Sequence, residues 1–231
     1  MKRIIIIALF LINVSSFALI AEDKNSNIKD KVNYDWRRND LKINYAKADH
    51  IAFSTYDDKI DGQFFATDGI KCSAIKLGYD IPKFAKKGDE IWKATISSPG
   101  FWIYCGTLFV HSETGKVHFV SGLWERKDIY ATRDWDRKGL RIKNTRSTPE
   151  RTKQITIKAY LNKMKLKKIT NEEFNIEKRR IGWNIPEFAN TTDEVWEATI
   201  TSKNNEFLGI MWIHPVTKSV RYITGPWLEK Q

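Results

Sequence analysis

The chain has 231 residues, 42% of them hydrophobic, two cysteines and a formal charge of +11. At roughly 100–150 residues per domain, this length fits two small domains or one pseudo-symmetric pair. Past the N-terminus no segment is apolar enough to span a bilayer, and the basic excess comes with no nucleic-acid-binding motif, so both of those classes are set aside.

Met1-Lys2-Arg3 followed by the apolar run Ile4 to Leu11 has the form of a charged n-region and an h-region. Ser16-Phe17-Ala18 supplies small residues at a cleavage site, with Ala21 as a second candidate. The run is short for a membrane span, which needs roughly 20 residues, and no Cys follows it to carry a lipid. The sequence therefore predicts a signal peptide over 1–18 and a periplasmic or secreted chain with no transmembrane segment after its removal. An uncleaved anchor is the alternative. Residues 19–33 are mostly polar and read as a linker. Without Lys2 and Arg3 the charge falls from +11 to +9. Residues 34–127 carry 14 basic and 12 acidic groups, whereas 128–231 carry 20 and 13, so the excess belongs to the second part.

Most of the stretch from Gly78 to Trp124 is written again from Gly182 to Trp227. Between residues 78–98 and 182–202, 12 of 21 positions are identical at an offset of 104; Gly106 to Trp124 then answers to Gly209 to Trp227 at 103. Asp35-Trp36 similarly resembles Asp134-Trp135. The repeat units are placed at 34–127 and 133–230.

In the first unit a helix is expected around Ala46 to Asp57, then a strand from Ile70 to Leu77. Trp92, Ala94 and Ile96 recur as Trp196, Ala198 and Ile200, while Lys93 between them becomes Glu197. A period of two with one face kept and one face free predicts a half-buried strand. Gly106 to His111 is a nearly continuous apolar run and reads as a central strand, and Lys116 to Gly122 returns after a Thr114-Gly115 turn. In the second unit Ser147-Thr148-Pro149-Glu150 is a helix start, with a hydroxyl cap, a first-position Pro and an acid in the first turn. Ile155, Ala159, Tyr160 and Met164 follow helical spacing. The strands expected next are Phe174 to Ile181 and the second copies of those above. The predicted fold class is α+β: two tandem homologous units, each a helix packed on an antiparallel sheet that ends in a three-stranded meander.

Cys72 and Cys105 both lie in the first unit, opposite Ile176 and Leu208 in the second. Cys with Cys in one copy and aliphatic with aliphatic in the other predicts neighbours, and in an oxidising compartment a disulfide worth about 3–4 kcal/mol. Two separate thiols or a redox couple are the alternatives. His111 and His214 share one position at the end of the apolar strand. Without a third ligand they read as hydrogen-bonding structural residues and not as a metal site. Asp89-Glu90 and Asp193-Glu194 read as turn caps, because adjacent strand residues point to opposite faces. No nucleophile elbow, zinc helix, phosphate-cradling glycine loop or EF-hand pattern is present. No catalytic residue, cofactor or metal is therefore assigned.

Of the nine Trp, six form corresponding pairs and read as core fillers, whereas Trp102, where the copies lose alignment, is the candidate exposed contact. Arg151, Lys153, Lys158, Lys163, Lys165, Lys167 and Lys168 fall in one segment without an acid. This segment reads either as a solvated helix face or as a surface for an acidic protein or an anionic cell-envelope polymer.

The order helix, strands, then an apolar strand with a His111-x-x-Thr114-Gly115-x-Val117 hairpin resembles the PepSY domain over roughly the second half of each unit. The loop Gly78-Tyr79-Asp80-Ile81-Pro82 and Lys218, where that hairpin has Gly, depart from the pattern. The resemblance implies a non-catalytic exported module that binds or restrains a partner, often an envelope enzyme. The expected function is an exported, non-enzymatic protein-binding module, in its sharper form an inhibitor or immunity protein; an envelope lipopolysaccharide or peptidoglycan binder is the second reading and a hydrolase with a site between the repeats the third.

Overall fold

Two helices start where a side chain can replace the missing turn above them. Asn44, in an extended conformation, accepts the Lys47 N–H at 3.0 Å and opens α1 (Tyr45–Lys59). Thr148 accepts the Arg151 N–H at 3.2 Å and opens α2 (Pro149–Met164), whose first residue has no N–H to orphan. The structure is a computed structural model that describes residues 38, 40–60, 69–98, 103–125 and 147–228. The expected signal peptide (1–18) and polar linker (19–33), and Trp102, lie outside the described residues.

Each helix buries a stripe at a spacing of four: Ala48, Ala52 and Tyr56 in α1, Thr152, Thr156 and Tyr160 in α2. The second set is the first shifted by 104. The stripe on α2 differs from the expected one, since Ile155, Ala159 and Met164 only flank it, partly buried. Thr156 tolerates burial because its hydroxyl donates to the Thr152 carbonyl at 3.0 Å.

The first half runs β1 (Gly69–Leu77), β2 (Glu90–Ser97), β3 (Ile103–His111) and β4 (Val117–Gly122), each antiparallel to the next. The second half repeats this as β5 (Glu172–Ile181), β6 (Glu194–Ser202), β7 (Glu206–Ile213) and β8 (Val220–Thr224). The expected fold class is corrected at this point. The halves do not form two helix-on-sheet modules in tandem; their strands belong to one mixed sheet of eight. The end of β1 pairs in parallel with the start of β7 (Lys76 with Glu206, Leu77 with Phe207). The end of β5 does the same with the start of β3 (Arg180 with Ile103, Ile181 with Tyr104). Six strands thus close a ring in the order β1-β2-β3-β5-β6-β7, with β4 and β8 branching from β3 and β7. Glycine follows the paired residues at both seams. Gly78 donates to the Phe207 carbonyl at 2.8 Å and Gly182 to the Tyr104 carbonyl at 3.0 Å.

Burial follows from this closure. One cluster joins the inner side of α1 to residues of both halves, among them Ile91, Phe109, Ile181, Trp183, Phe207 and Trp212. A second lies under α2 and contains Tyr160, Phe174, Trp196, Ile200, Met211 and Trp227. Trp92 is fully buried and its indole N–H donates to the Ile43 carbonyl at 2.7 Å. The repeated Gly-to-Trp spacings also have a packing cause. The Trp124 ring lies where a side chain on Gly106 or Gly122 would project, and Trp227 lies over Gly209 and Gly225 in the same way.

Candidate functional site

The basic segment becomes a single surface because α2 shows one face to its sheet and the other outward. Arg151, Lys153 and Lys158 are exposed on the helix, and Lys165, Lys167 and Lys168 are exposed beyond its end. Arg151, Lys158 and Lys165 are seven residues apart, so they lie along one side of the helix. Lys163 differs: it is half-buried, with its ammonium 5.2 Å from the centre of the Tyr222 ring. None of the seven forms an ion pair among the described residues.

The helix ends abruptly, in a turn that exposes the next residues. Lys165 takes a left-handed conformation (φ 57°), its N–H bonds to the Asn162 carbonyl at 3.3 Å, and the Leu166 N–H bonds to the Leu161 carbonyl at 2.9 Å. This pair of bonds is a Schellman closure. It leaves Leu166, 41% exposed, between Lys165 and the Lys167-Lys168 pair. The cations also sit at the negative end of the helix dipole, which favours them there.

The other expected residues do not gather at this surface. Cys72 and Cys105 are both free and buried, and the expected disulfide is corrected. They lie on β1 and β3, with β2 between them. Two strand spacings are about 9.6 Å, more than the roughly 7 Å between Cα atoms that a disulfide can span. Cys72 pairs with Ala94 and Ala94 with Leu108, so Cys105 also lies three residues further along β3. Burial pushes the Cys72 thiol up to about 12, with Asp49 adding to it. Burial also pushes Cys105 up, to about 11, against the hydrogen bonds of Tyr56 and Ser98. Thiols held so far from ionisation are poor nucleophiles.

Each strand-end histidine closes its own hairpin. His111 Nδ1 accepts the Glu113 N–H at 3.2 Å, and Nε2 lies 3.5 Å from Asp89. His214 Nδ1 accepts from Val216 at 3.3 Å and Thr217 at 3.2 Å, and Nε2 lies 4.0 Å from Asp193. Asp89 also caps its loop through the Lys86 N–H at 2.8 Å, while Glu90 turns away to Arg38 at 2.6 Å. Among the described residues no group of three or more His, Cys, Asp or Glu is placed to hold a metal ion.

A charged cluster in the interior was missed by the sequence reading. Lys93 and Glu197, read as solvent-facing, point inward from β2 and β6, with side chains only 11% and 2% exposed and 3.8 Å apart. Arg179 completes the set at 3.1 Å from Glu197 and 2.8 Å from Glu177. The Trp212 indole N–H donates to Glu197 at 3.2 Å. Burial pushes the Glu197 carboxyl up, but Arg179, Lys93 and the two hydrogen bonds outweigh it and hold the group at about 2. Burial lowers Lys93, with Glu197 opposing, and Glu197 above all raises Arg179. The signal was present in the reversal of charge at equivalent positions. Aromatic rings flank the cluster in two matching sets, Tyr79, Phe207 and Phe109 on one side, Trp183, Tyr104 and Trp212 on the other.

No protein-family model, no curated protein and no solved structure matches the chain. No described helix is long and apolar enough to cross a membrane.

Proposed function

We propose that this chain is an exported, non-enzymatic binding protein that engages an acidic protein through α2 and the turn at its C-terminal end, and that the partner is an envelope-active enzyme which it restrains. One observation carries the reading: a row of exposed cations with no acidic partner among the described residues surrounds an exposed leucine. Cations of one sign concentrated on a face raise the encounter rate with an anionic partner. An apolar side chain at their centre supplies contact area that charge alone does not. Export rests on the N-terminal charged and apolar pattern together with the Ser16-Phe17-Ala18 site.

The test places a photo-crosslinking residue at position 166 in the full chain and irradiates envelope fractions. The expected product is one acidic protein joined in stoichiometric amount, lost in K158E/K165E/K167E/K168E and weakened by salt. Fractionation should recover the processed chain outside the cytoplasm. Labelling that survives the four charge reversals would sink the proposal. So would co-sedimentation with purified peptidoglycan or lipopolysaccharide in place of any protein, which would establish the envelope-polymer reading.

A further inference from the structure

Exchanging the two halves maps the contacts between them onto one another. Lys76 and Leu77 correspond to Arg180 and Ile181, and Glu206 and Phe207 to Ile103 and Tyr104, so the parallel seams β1–β7 and β5–β3 are one seam made twice. The Gly78 to Phe207 and Gly182 to Tyr104 hydrogen bonds exchange in the same way. So do the two aromatic sets, since Tyr79 answers Trp183, Phe207 answers Tyr104, and Phe109 answers Trp212. A contact set that is unchanged when the partners are exchanged is the property of a two-fold, self-complementary interface.

On such an interface some positions meet their own counterparts. Position 93 meets position 197, with Lys93 Nζ 3.8 Å from Glu197 Oε1. Two copies of the first half would set lysine against lysine there, and two of the second would set glutamate against glutamate. Both places are buried: the lysines would stand against each other with no acid beside them, which is strongly unfavourable, and each glutamate would lose its lysine and keep only its own half's Arg179. Only first half against second half sets lysine opposite glutamate, and Arg179, which replaces Ile75 of the first half, lies beside the carboxylate of its own half. We infer that the face shared by the halves is a two-fold interface made selective by charge: it accepts the complementary half, from the same chain or from a second copy of it, and rejects an identical half. In the native chain the covalent connection keeps the complementary half at high effective concentration, so the pairing closes within one molecule.

The test uses the full chain as two single variants, K93E and E197K. Alone, each sets like charges against each other at the shared face and is expected to refold to less than a tenth of the wild-type yield. Refolded together at equal concentration, they can exchange halves, and both interfaces of the exchanged pair then carry opposite charges. The expected product is a folded dimer with one chain of each kind, identified by native mass spectrometry, in at least tenfold excess over the two separate refoldings. Either variant alone recovering a monomer of wild-type stability would overturn the inference, and so would a mixture that yields no more than its parts. A third chain, K93M/R179M/E197M, removes the charges of the cluster and keeps the bulk. It is expected to fold yet to give dimers joined through identical halves beside the monomer. A purely monomeric product would overturn the selective role of the charges.

Discussion

At the scale of single residues, the Glu197 carboxylate is almost fully buried and held by Lys93, Arg179 and the Trp212 indole. Its folded value of about 2 lies below the ordinary 4.5, so the unfolded chain binds its proton first as the solution is acidified. The stability it contributes is complete above pH 4.5 and is lost as the pH falls from 4.5 towards 2. Replacing it by E197Q leaves Lys93 and half of the Arg179 interaction without a counter-charge, and is expected to cost about 3 kcal/mol at neutral pH. Urea unfolding from pH 7 to pH 2 checks both statements: the gap between wild type and variant should narrow below pH 4.5. A gap that stays constant would show that the ion pair does not set the acid limb. The residues concerned were visible in the sequence, but their setting was not. Alternation along Trp92, Lys93, Ala94 separates two faces of a strand; it does not say whether the second face meets water or the opposite strands of a closed sheet. A charge reversal is tolerated in water because the side chain is solvated, and inside a closed sheet because the opposite charge answers it, so the two cases look alike in one chain.

At the scale of elements, local rules carried far. The Thr148-Pro149 start of α2 and the strands around Trp92 and Trp196 stand where their caps and periods put them. The row of lysines was equally legible, because seven-residue spacing and the absence of acids are sequence properties. The single exposed leucine in their midst was not, since the Schellman turn that presents it depends on Lys165 taking a left-handed conformation that favours glycine. The cysteines failed for a related reason. Substitution of both positions by aliphatic residues reports that each is buried, not that they touch. The hairpin turns allow a quantitative check. Lys218 is held at φ 63° where its counterpart Gly115 sits at φ 69°, a conformation costing a side-chain-bearing residue about 1 kcal/mol. K218G is therefore expected to raise the melting temperature by about 2–4 °C in a chain of this size. An unchanged or lowered melting temperature in calorimetry would show that the bond from its ammonium to the Pro215 carbonyl outweighs the strain.

At the scale of the molecule, the joining of the halves was hidden because it rests on so little local pattern. Each parallel seam is only two residue pairs long and connects strands far apart in sequence, so no turn or period announces it. Its trace was the pair Gly78 and Gly182, kept in both copies. A methyl group at Gly182 would stand 2.9 Å from the Tyr104 carbonyl oxygen, which belongs to backbone and cannot swing aside. G182A should thus cost about 2 kcal/mol and should speed amide exchange along the β3–β5 seam more than within β6. Wild-type denaturation and exchange would mean that the seam is dispensable to the fold.

The opposed charges at positions 93 and 197 also make the two copies depend on each other. Were both positions the same uncharged side chain, either copy alone could pair with itself. With lysine and glutamate in place the copies are no longer interchangeable: a chain cut down to either one would bury an ion parted from its opposite number.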